Sequence, residues 1–164
     1  MDILWSPWRY DYIRSNEKRE SGGASDCVFC EVLQSPAADD EKFIVHRAGF
    51  NFVILNIFPY ITGHLMIVPF EHLPAISQAS KESTDELMDL IKRSQEILGE
   101  VYRPNGFNIG MNLGKAAGAG VEEHFHMHVM PRWTGDSNFM TTVAETRTIP
   151  ETLEKTYEKL KGRF

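Results

Sequence analysis

The chain has 164 residues, of which 42% are hydrophobic, and its formal net charge at pH 7 is −6. This length is enough for one domain with a sizeable apolar core. The acidic balance argues against a nucleic-acid polymer as the main partner, because neutralising its phosphates requires an excess of Lys and Arg. No apolar run of about eighteen residues and no secretory signal occur, so we expect neither a membrane span nor export and predict a cytoplasmic protein.

The N-terminal segment differs in composition from the rest of the chain. Residues 1–25 contain Trp5 and Trp8 and end in the Gly/Ser-rich stretch 21–25, which predicts an aromatic arm followed by a linker. Residues 26–164 are predicted to form a single domain. Aromatic residues in such an arm most often pack within their own chain, but they are also enriched at interface cores, so the arm could instead cover a partner subunit.

Three strands are predicted ahead of a long helix. The runs "KFIVHR" and "FNFVILN" are rich in β-branched and aromatic residues and flank the turn-like pair Ala48-Gly49, which predicts a hairpin. The run "GHLMIVP" predicts a third strand. Ser83 with Glu86 three residues later is typical of a capping box, and the spacing of the apolar residues that follow predicts one long amphipathic helix ending before Pro104.

The second half of the chain adds two strands and a helix. "GFNIGMN" predicts a fourth strand, "LGKAAGAG" a small-residue loop and "HFHMHVMPRW" a fifth strand. After a polar segment, Pro150 is predicted to open a short C-terminal helix with Leu153, Tyr157 and Leu160 on one side. Together these elements predict an α+β domain with a mainly antiparallel five-stranded sheet, one long helix and a C-terminal helix.

Three histidines, His124, His126 and His128, occupy alternate positions of the fifth predicted strand. Because strand side chains alternate, the histidines share one face and the apolar residues between them share the other. In a straight strand the outer two α-carbons stand about 13 Å apart, too far for one metal ion whose ligand nitrogens lie roughly 2 Å away. We therefore expect a division of labour, in which the central imidazole is a nucleophile and its neighbours hold the oxygens under attack.

A glycine-rich loop, "GKAAGAG" at 114–120, ends four residues before the first of these histidines. Its backbone N–H groups can turn toward an anion because few side chains stand in the way. On its own such a loop about as often makes only a tight connection. Its position ahead of the histidines favours a phosphate-binding loop.

The two cysteines of the chain are Cys27 and Cys30. In a reducing compartment this spacing suggests a metal clip or a redox pair before a structural disulfide. Two buried thiols without a ligand are the alternative, since a free cysteine behaves as a small hydrophobic residue.

These motifs together resemble the histidine triad (HIT) superfamily of nucleotide hydrolases and transferases. "HFHMHVM" matches its His-x-His-x-His-apolar-apolar signature, and "ILNIFPYITGH", "GHLMIVP" with "FEHLP", and "NLGKAAGAGVEEH" resemble its other blocks in family order, over about residues 27–135. The start "LWSPWRYDYI" and the continuation "PRWTGDSNF" resemble the bacterial branch that includes diadenosine tetraphosphate phosphorylases. The resemblance implies a HIT-like fold and a homodimer whose sheets join across the interface.

The resemblance also implies roles for individual residues. His126 would attack the α-phosphorus and form a nucleotidyl-histidine intermediate that water or orthophosphate resolves, while His128 would contact phosphate oxygens and the scissile region. The implied nucleotide-binding residues are Asn56 at the ribose hydroxyls, Phe58 at the base, Asn112 at the phosphate, and Gly118, Gly120, Val121 and His64, the last beside the triad strand.

A structural metal is implied in the same way. Many bacterial members pair a CxxC motif with two histidines, which correspond here to the set Cys27, Cys30, His72 and His124. Such a Cys2His2 set suits tetrahedral zinc. The ion would clip the N-terminal segment to the sheet and leave His126 free of metal, and no organic cofactor is expected.

Other charged and polar positions receive weaker expectations. Lys115, in the glycine-rich loop, is expected to recruit distal phosphates or orthophosphate, whereas Arg132 could be a solvated charge and His46 a hairpin or surface residue. Gly120 departs from the family, where Gln, Ser or Thr commonly contacts the phosphate or leaving group. Glu122 and Glu123 are unfavourable beside an anionic substrate, although strand alternation points Glu123 away from the histidine face.

The sequence therefore predicts a nucleotidyl transferase or hydrolase that cleaves dinucleoside polyphosphates, with phosphorolysis of diadenosine tetraphosphate favoured over hydrolysis. Three alternatives stay open. The first is a nucleoside phosphoramidase of the HIT hydrolase type, and the second is a non-catalytic nucleotide-binding adaptor, for which Gly120 is the supporting feature. The third is a zinc hydrolase that uses the histidines as metal ligands.

Overall fold

The computed structural model describes residues 27–144 and 148–164, so the predicted N-terminal arm and its boundary lie outside the described residues. The described part contains five strands and four α-helices. In chain order they are α1 (Val28–Gln34), β1 (Ile44–Arg47), β2 (Asn51–Leu55), β3 (Leu65–Pro69), α2 (Lys81–Tyr102), β4 (Gly106–Gly110), β5 (Met127–Arg132), α3 (Phe139–Ala144) and α4 (Leu153–Leu160), with 3-10 turns at Ile76–Gln78 and Lys115–Ala117.

The five strands form one antiparallel sheet in the order β1-β2-β3-β5-β4, which confirms the predicted α+β class. The first two strands make the predicted hairpin, in which the Ala48 N–H donates to the Asn51 carbonyl at 2.9 Å. β5 lies between β3 and β4, with His128 opposite Met66 on one side and Gly110 on the other. The histidine strand is therefore central, flanked by the elements that carry the other predicted motifs.

One face of the sheet is covered by α2 and α4. Buried residues of both helices pack against alternate residues of the strands, among them Val53, Ile67 and Val129. α2 presents a continuous apolar stripe to this face because its buried positions recur at helical spacing from Leu87 to Leu98. This face forms the main apolar core.

The opposite face is covered by α1. Phe29, Cys27 and Cys30 pack there with the alternate residues of the same strands, such as Phe52 and Met66. α1 was not predicted, because seven residues of mixed polarity around two cysteines carry no helical period that distinguishes them from a loop. The His128–Met66 pairing shows that the triad strand presents its histidines to this face.

The start of α2 differs from the prediction. The N-cap is Ser80, whose hydroxyl accepts a hydrogen bond from the Ser83 N–H at 3.1 Å, so the capping box predicted at Ser83 is wrong. Glu86 lies a full turn inside the helix and has another partner. Its carboxylate accepts hydrogen bonds from the backbone N–H groups of residues 49–51 at 2.8–2.9 Å and thereby holds the β1–β2 turn against the helix.

Two further boundaries differ from the predicted ones, and one helix was not predicted. α4 begins at Leu153 after the N-cap Thr152 rather than at Pro150, because the Thr152 hydroxyl accepts from the N–H three residues on. The segment predicted as polar contains the short helix α3, which has exposed apolar residues. β5 begins at Met127, so His124 and His126 precede the hydrogen-bonded strand.

The alternation of side chains nevertheless continues back through these two residues. Phe125 packs in the core on the α2 side, whereas His124 and His126 contact Phe29 on the α1 side.

In the part of the chain that the structure describes, no helix has the length and apolar character needed to cross a membrane.

Candidate active site

His126 stands at the centre of the candidate site, directly before β5. Its Nδ1 atom lies 3.0 Å from the backbone carbonyl oxygen of His124. A carbonyl oxygen only accepts, so Nδ1 carries the hydrogen and Nε2 of the neutral ring keeps a lone pair. Burial lowers the pKa of His126, and the hydrogen bond to His124 opposes this effect. A neutral imidazole with a lone pair on Nε2 is a competent nucleophile.

His128 has the opposite hydrogen-bonding polarity. Its Nδ1 lies 2.8 Å from Nε2 of His64, and the backbone N–H of Tyr60 donates to Nδ1 of His64 at 3.2 Å. Since Nδ1 of His64 accepts, its Nε2 carries the hydrogen and donates to Nδ1 of His128. A neutral His128 must then carry its own hydrogen on Nε2. His128 therefore offers an N–H donor on Nε2, and its ring centroid lies 4.8 Å from that of His126.

Both members of this histidine pair are neutral at physiological pH. Burial, reinforced by His128 and His126, lowers the pKa of His64 to about 3. Burial, reinforced by His126, lowers the pKa of His128 to about 4. An imidazolium in this position would lose its hydration, which is why burial disfavours the charged form. While both rings are neutral, Nε2 of His64 donates to Nδ1 of His128, because the Tyr60 N–H occupies Nδ1 of His64.

Asn56 supports His64 from the β2–β3 connection. Its Oδ1 accepts a hydrogen bond from the Phe58 N–H at 2.9 Å, which orients the amide so that Nδ2 donates to Nδ1 of His64 at 3.3 Å. The structure thus brings together three of the predicted nucleotide-binding residues, Asn56, Phe58 and His64. Their contacts with a ribose or a base stay predictions.

β4, which leads toward the glycine-rich loop, ends beside the triad, because Gly110 pairs with His128. Gly114 and Gly118 have positive φ angles of 75° and 83°, a conformation that side chains disfavour, and they bracket the 3-10 turn. The amide of Asn112, which is predicted to contact the phosphate, donates to the Gly118 carbonyl at 3.4 Å, so the Asn112 side chain is held against the loop. Phosphate binding here stays a prediction.

The remaining positions are distributed around the site. Val121 packs partly buried against the α1-side apolar cluster, whereas Gly120 and Lys115 are exposed. Arg132 pairs with Asp136, so this predicted solvated charge has an ionic partner. Three further residues lie at the surface or on the hairpin: His46 stacks on the Phe164 ring at 5.4 Å, and Glu122 and Glu123 are exposed.

A second cluster shares His124 with the triad and contains the four predicted metal ligands, Cys27, Cys30, His72 and His124. One ligand atom from each residue lies within 4.8 Å of those of the other three. Nδ1 of His124 is 3.3 Å from Sγ of Cys27, and Nδ1 of His72 is 3.3 Å from Sγ of Cys30. These four residues could therefore hold a metal ion.

The donor set fits a divalent cation on chemical grounds. Nε2 of His124 donates to the Pro69 carbonyl at 2.9 Å, which leaves the Nδ1 lone pair directed at the thiols and supplies the outer hydrogen bond typical of a metal-binding imidazole. Burial, reinforced by Cys27, raises the pKa of the Cys30 thiol to about 11. A thiolate in this cluster accordingly needs a neighbouring positive charge, which a cation would supply.

Phe29 is the residue of this region that the sequence analysis missed. Its ring centroid lies 5.0 Å from that of His126 and 5.4 Å from that of His124. The CxxC spacing contained a usable signal, because a metal cluster joining Cys27 and Cys30 to His124 must bring the intervening residues close to the triad.

Comparison with known proteins agrees with this geometry. Residues 38–135 match the family model described as the HIT domain. An AP-4-A phosphorylase of Mycobacterium tuberculosis is 36% identical over 156 residues, which cover 93% of this chain and 79% of the relative. An adenosine 5'-monophosphoramidase of Schizosaccharomyces pombe is 26% identical over 106 residues, covering 65% of this chain and 74% of the relative.

The fold comparison leads to the same group. A Zn-bound histidine triad family protein of Mycobacterium smegmatis has a crystal structure that superposes with a TM-score of 0.68 at 27% sequence identity, covering 86% of this chain and 94% of that one. The relatives whose names state an activity are enzymes, which confirms the predicted HIT-type enzyme. The family match over more than half of the sequence, together with the 36% identical relative, shows that this chain belongs to the HIT family.

Proposed function

We propose that this chain cleaves dinucleoside polyphosphates through a nucleotidyl-His126 intermediate, with phosphorolysis of diadenosine tetraphosphate as the favoured reaction. The observation that carries this proposal is the opposite polarity of two adjacent imidazoles: His126 offers a lone pair and His128 offers an N–H donor. Phosphoryl-type transfer needs both, one to attack phosphorus and one to stabilise or protonate an oxygen. The similarity to an AP-4-A phosphorylase supports the choice of substrate.

The reaction runs in two displacements. Nε2 of His126 attacks the α-phosphorus of diadenosine tetraphosphate, a P–N bond forms, the bond to the bridging oxygen breaks, and ATP leaves. Orthophosphate then attacks the same phosphorus, the P–N bond breaks, and ADP is released. If water attacks instead, the product is AMP. The His128 N–H and the backbone N–H groups of the 114–120 loop stabilise the charge that develops on the oxygens.

Lys115 is proposed to attract the distal phosphates or the incoming orthophosphate. It is exposed in the 3-10 turn of the loop, where an ammonium group can meet an anion while keeping part of its hydration. We expect Lys115→Ala to raise the KM for orthophosphate. Unchanged turnover together with an unchanged KM for phosphate would remove this role.

We propose zinc as the ion of the Cys27, Cys30, His72 and His124 cluster, because thiolate and imidazole donors in a four-ligand set favour it. The Zn-bound relative supports this identity. A reducing compartment such as the cytoplasm would keep both thiols available as ligands. Elemental analysis of the purified protein tests the proposal, with Cys30→Ser as the variant expected to lose the metal.

We also propose a homodimer in which β4 pairs with its copy. β4 is an edge strand of the described sheet, and the side chain of Ile109 on it is 42% exposed. An edge strand offers unpaired backbone groups that a second copy can satisfy. Sedimentation of the wild type and of Ile109→Lys tests this arrangement, and a wild-type monomer would contradict it.

The function is tested by incubating the full chain with diadenosine tetraphosphate, with and without orthophosphate, and separating the products by chromatography. ADP plus ATP that appear only with orthophosphate are the expected result. AMP plus ATP regardless of orthophosphate would make the enzyme a hydrolase and overturn the favoured reaction.

A nucleoside phosphoramidase is the second candidate, and the similarity to an adenosine 5'-monophosphoramidase favours keeping it. Its substrate carries the same α-phosphorus, so His126 and His128 would play the same parts. Comparing kcat/KM for adenosine 5'-phosphoramidate and for diadenosine tetraphosphate decides between them. A higher value for the phosphoramidate would replace the favoured proposal.

A further inference from the structure

On the α1-side face, Phe29 lies between the Cys/His cluster and the triad residue His126. It lies in α1 between Cys27 and Cys30, its side chain is only 4% exposed, and its ring meets both His124 and His126. The contact with His126 is tilted at 56°, and the contact with His124 is nearly perpendicular at 74°. One aromatic ring thus touches a predicted metal ligand and the predicted nucleophile.

The His126 ring needs such a contact because its hydrogen bond alone does not fix it. The bond from Nδ1 to the His124 carbonyl sets the position of one atom, but the ring can still tilt about the axis through that atom. His128 packs against the ring at an interplanar angle of 75°, and Phe29 packs against it at a centroid distance of 5.0 Å. Two ring contacts and one hydrogen bond together keep Nε2 in a single direction.

We propose that Phe29 is a positioning residue: it aims Nε2 of His126 and couples that atom to the cluster of Cys27, Cys30, His72 and His124. This inference rests on the proposed function, because it names a further residue of the same site. The coupling has two routes: Cys27 and Cys30 anchor the helix that carries Phe29, and the cluster also holds His124, whose carbonyl accepts the His126 N–H. A disturbance of the cluster therefore reaches the nucleophile although His126 is not a member of it.

The activity test compares Phe29→Leu with Phe70→Leu, both metal-loaded. Phe70 packs in the same apolar cluster but stacks on Phe52 at 5.5 Å, so the control removes a ring of the same kind from the same face. We expect kcat for diadenosine tetraphosphate to fall roughly 10- to 100-fold in Phe29→Leu, as for a misaligned reacting group, with KM little changed. The control should keep the wild-type kcat.

A second measurement needs no substrate. The hydrogen on Nδ1 of His126 should give a downfield proton signal in NMR spectra, protected from exchange by the His124 carbonyl, and His126→Ala assigns it by its loss. In Phe29→Leu we expect this signal to broaden and exchange faster, while Phe70→Leu leaves it unchanged. Removing the metal with a thiol reagent and a chelator should broaden the same signal in the wild type.

The outcomes separate this inference from the proposed function. If no substrate is cleaved but the Nδ1 proton responds as expected, the reaction assignment fails and the positioning role of Phe29 stands. An unchanged proton signal, or a raised KM with an unchanged kcat, would overturn the positioning role. Loss of bound metal in Phe29→Leu would show that the ring maintains the cluster instead. Phe29→Met, which fills a similar volume without a ring, replaces Phe29→Leu if that variant does not fold.

Discussion

The two faces of the sheet are built from neighbouring residues of the same strands, yet they differ in chemistry. On the side of α2, Phe125 just before β5 and Val129 within β5 pack into a core of aliphatic and aromatic side chains. Toward α1, the alternate residues His126 and His128 meet Phe29, His64 and each other. Because successive side chains point to opposite faces, stability and chemistry are separated by one residue along the chain.

Stability and reactivity should respond to different substitutions. The α2 face is held by burial of apolar area, which is non-directional and indifferent to protonation. The histidines of the α1 face instead depend on which imidazole nitrogen carries a hydrogen, and hence on a few directed contacts. Substitutions in the α2-side core should therefore change the unfolding free energy with little effect on the reaction, whereas substitutions of the α1-side histidines should change the reaction most.

The largest effect is expected for His126→Ala. Removing the proposed nucleophile should lower kcat by on the order of 10⁴-fold or more, since loss of a group that forms a covalent intermediate stops the main route. The protein should remain folded, with an unfolding free energy lowered by about 0.5–3 kcal/mol, because the buried imidazole gives up one hydrogen bond and its contacts with Phe29 and His128. Steady-state kinetics and urea unfolding measure the two quantities.

His46→Ala is the matched control for that variant. His46 lies on β1, and its ring stacks on Phe164 rather than on a triad residue. Its replacement should leave kcat unchanged. Activity close to that of the wild type in His126→Ala would refute the nucleophile assignment.

On the α2 face, Leu98→Ala should produce the second largest effect. Leu98 is fully buried in the apolar core, and truncating such a side chain costs about 2–5 kcal/mol of unfolding free energy. The folded fraction should keep its kcat. Met88→Ala on the same helix, where the side chain is 51% exposed, serves as control and should change the unfolding free energy by less than about 0.5 kcal/mol. A Leu98→Ala protein that is equally stable but inactive would break the separation between the faces.

Much of this arrangement could be predicted from the sequence. The alternation of His124, His126 and His128 with apolar residues predicted two unlike faces, and the runs of β-branched residues predicted the strands. These signals are local and periodic, so they can be recognised without knowing which distant segments come into contact. The long helix was predicted for the same reason, although its first residue was misplaced because both Ser80 and Ser83 suit an N-cap.

What the sequence could not supply were contacts between distant segments. Glu86 holds the hairpin turn through backbone N–H groups 35 to 37 residues away, and no local pattern records that partner. The direction of the His64–His128 hydrogen bond depends on the Tyr60 backbone and therefore on a loop conformation. Phe29 was missed because a single phenylalanine between cysteines has no period of its own.

The next effect in size concerns His64, which determines which ring nitrogen of His128 carries the hydrogen. His64→Leu removes the donor to Nδ1 of His128, so the hydrogen of His128 is no longer confined to Nε2. We expect kcat to fall about 10- to 100-fold, as for a misaligned catalytic group. His64→Gln, which retains an N–H donor, should recover part of the loss. Nitrogen-15 NMR of the His128 ring checks the cause, since the wild type should show hydrogen on Nε2 alone, and an unaltered ring in His64→Leu would exclude this role.

A final effect is the acid dependence of stability. The pKa of His64 is lowered to about 3 and that of His128 to about 4, both below the usual 6.5, so the unfolded chain binds protons that the folded one excludes. Their stabilising contribution is present above pH 6.5 and is lost as the pH falls below it, by up to about 1.4 kcal/mol per pH unit for each histidine. Between pH 6 and pH 4, unfolding free energy should therefore decline less steeply in His64→Leu than in the wild type. Leu98→Ala removes no titratable group, so its curve should lie below that of the wild type and parallel to it. Equal slopes for all three proteins would show that the α1 face does not owe its acid sensitivity to this buried pair.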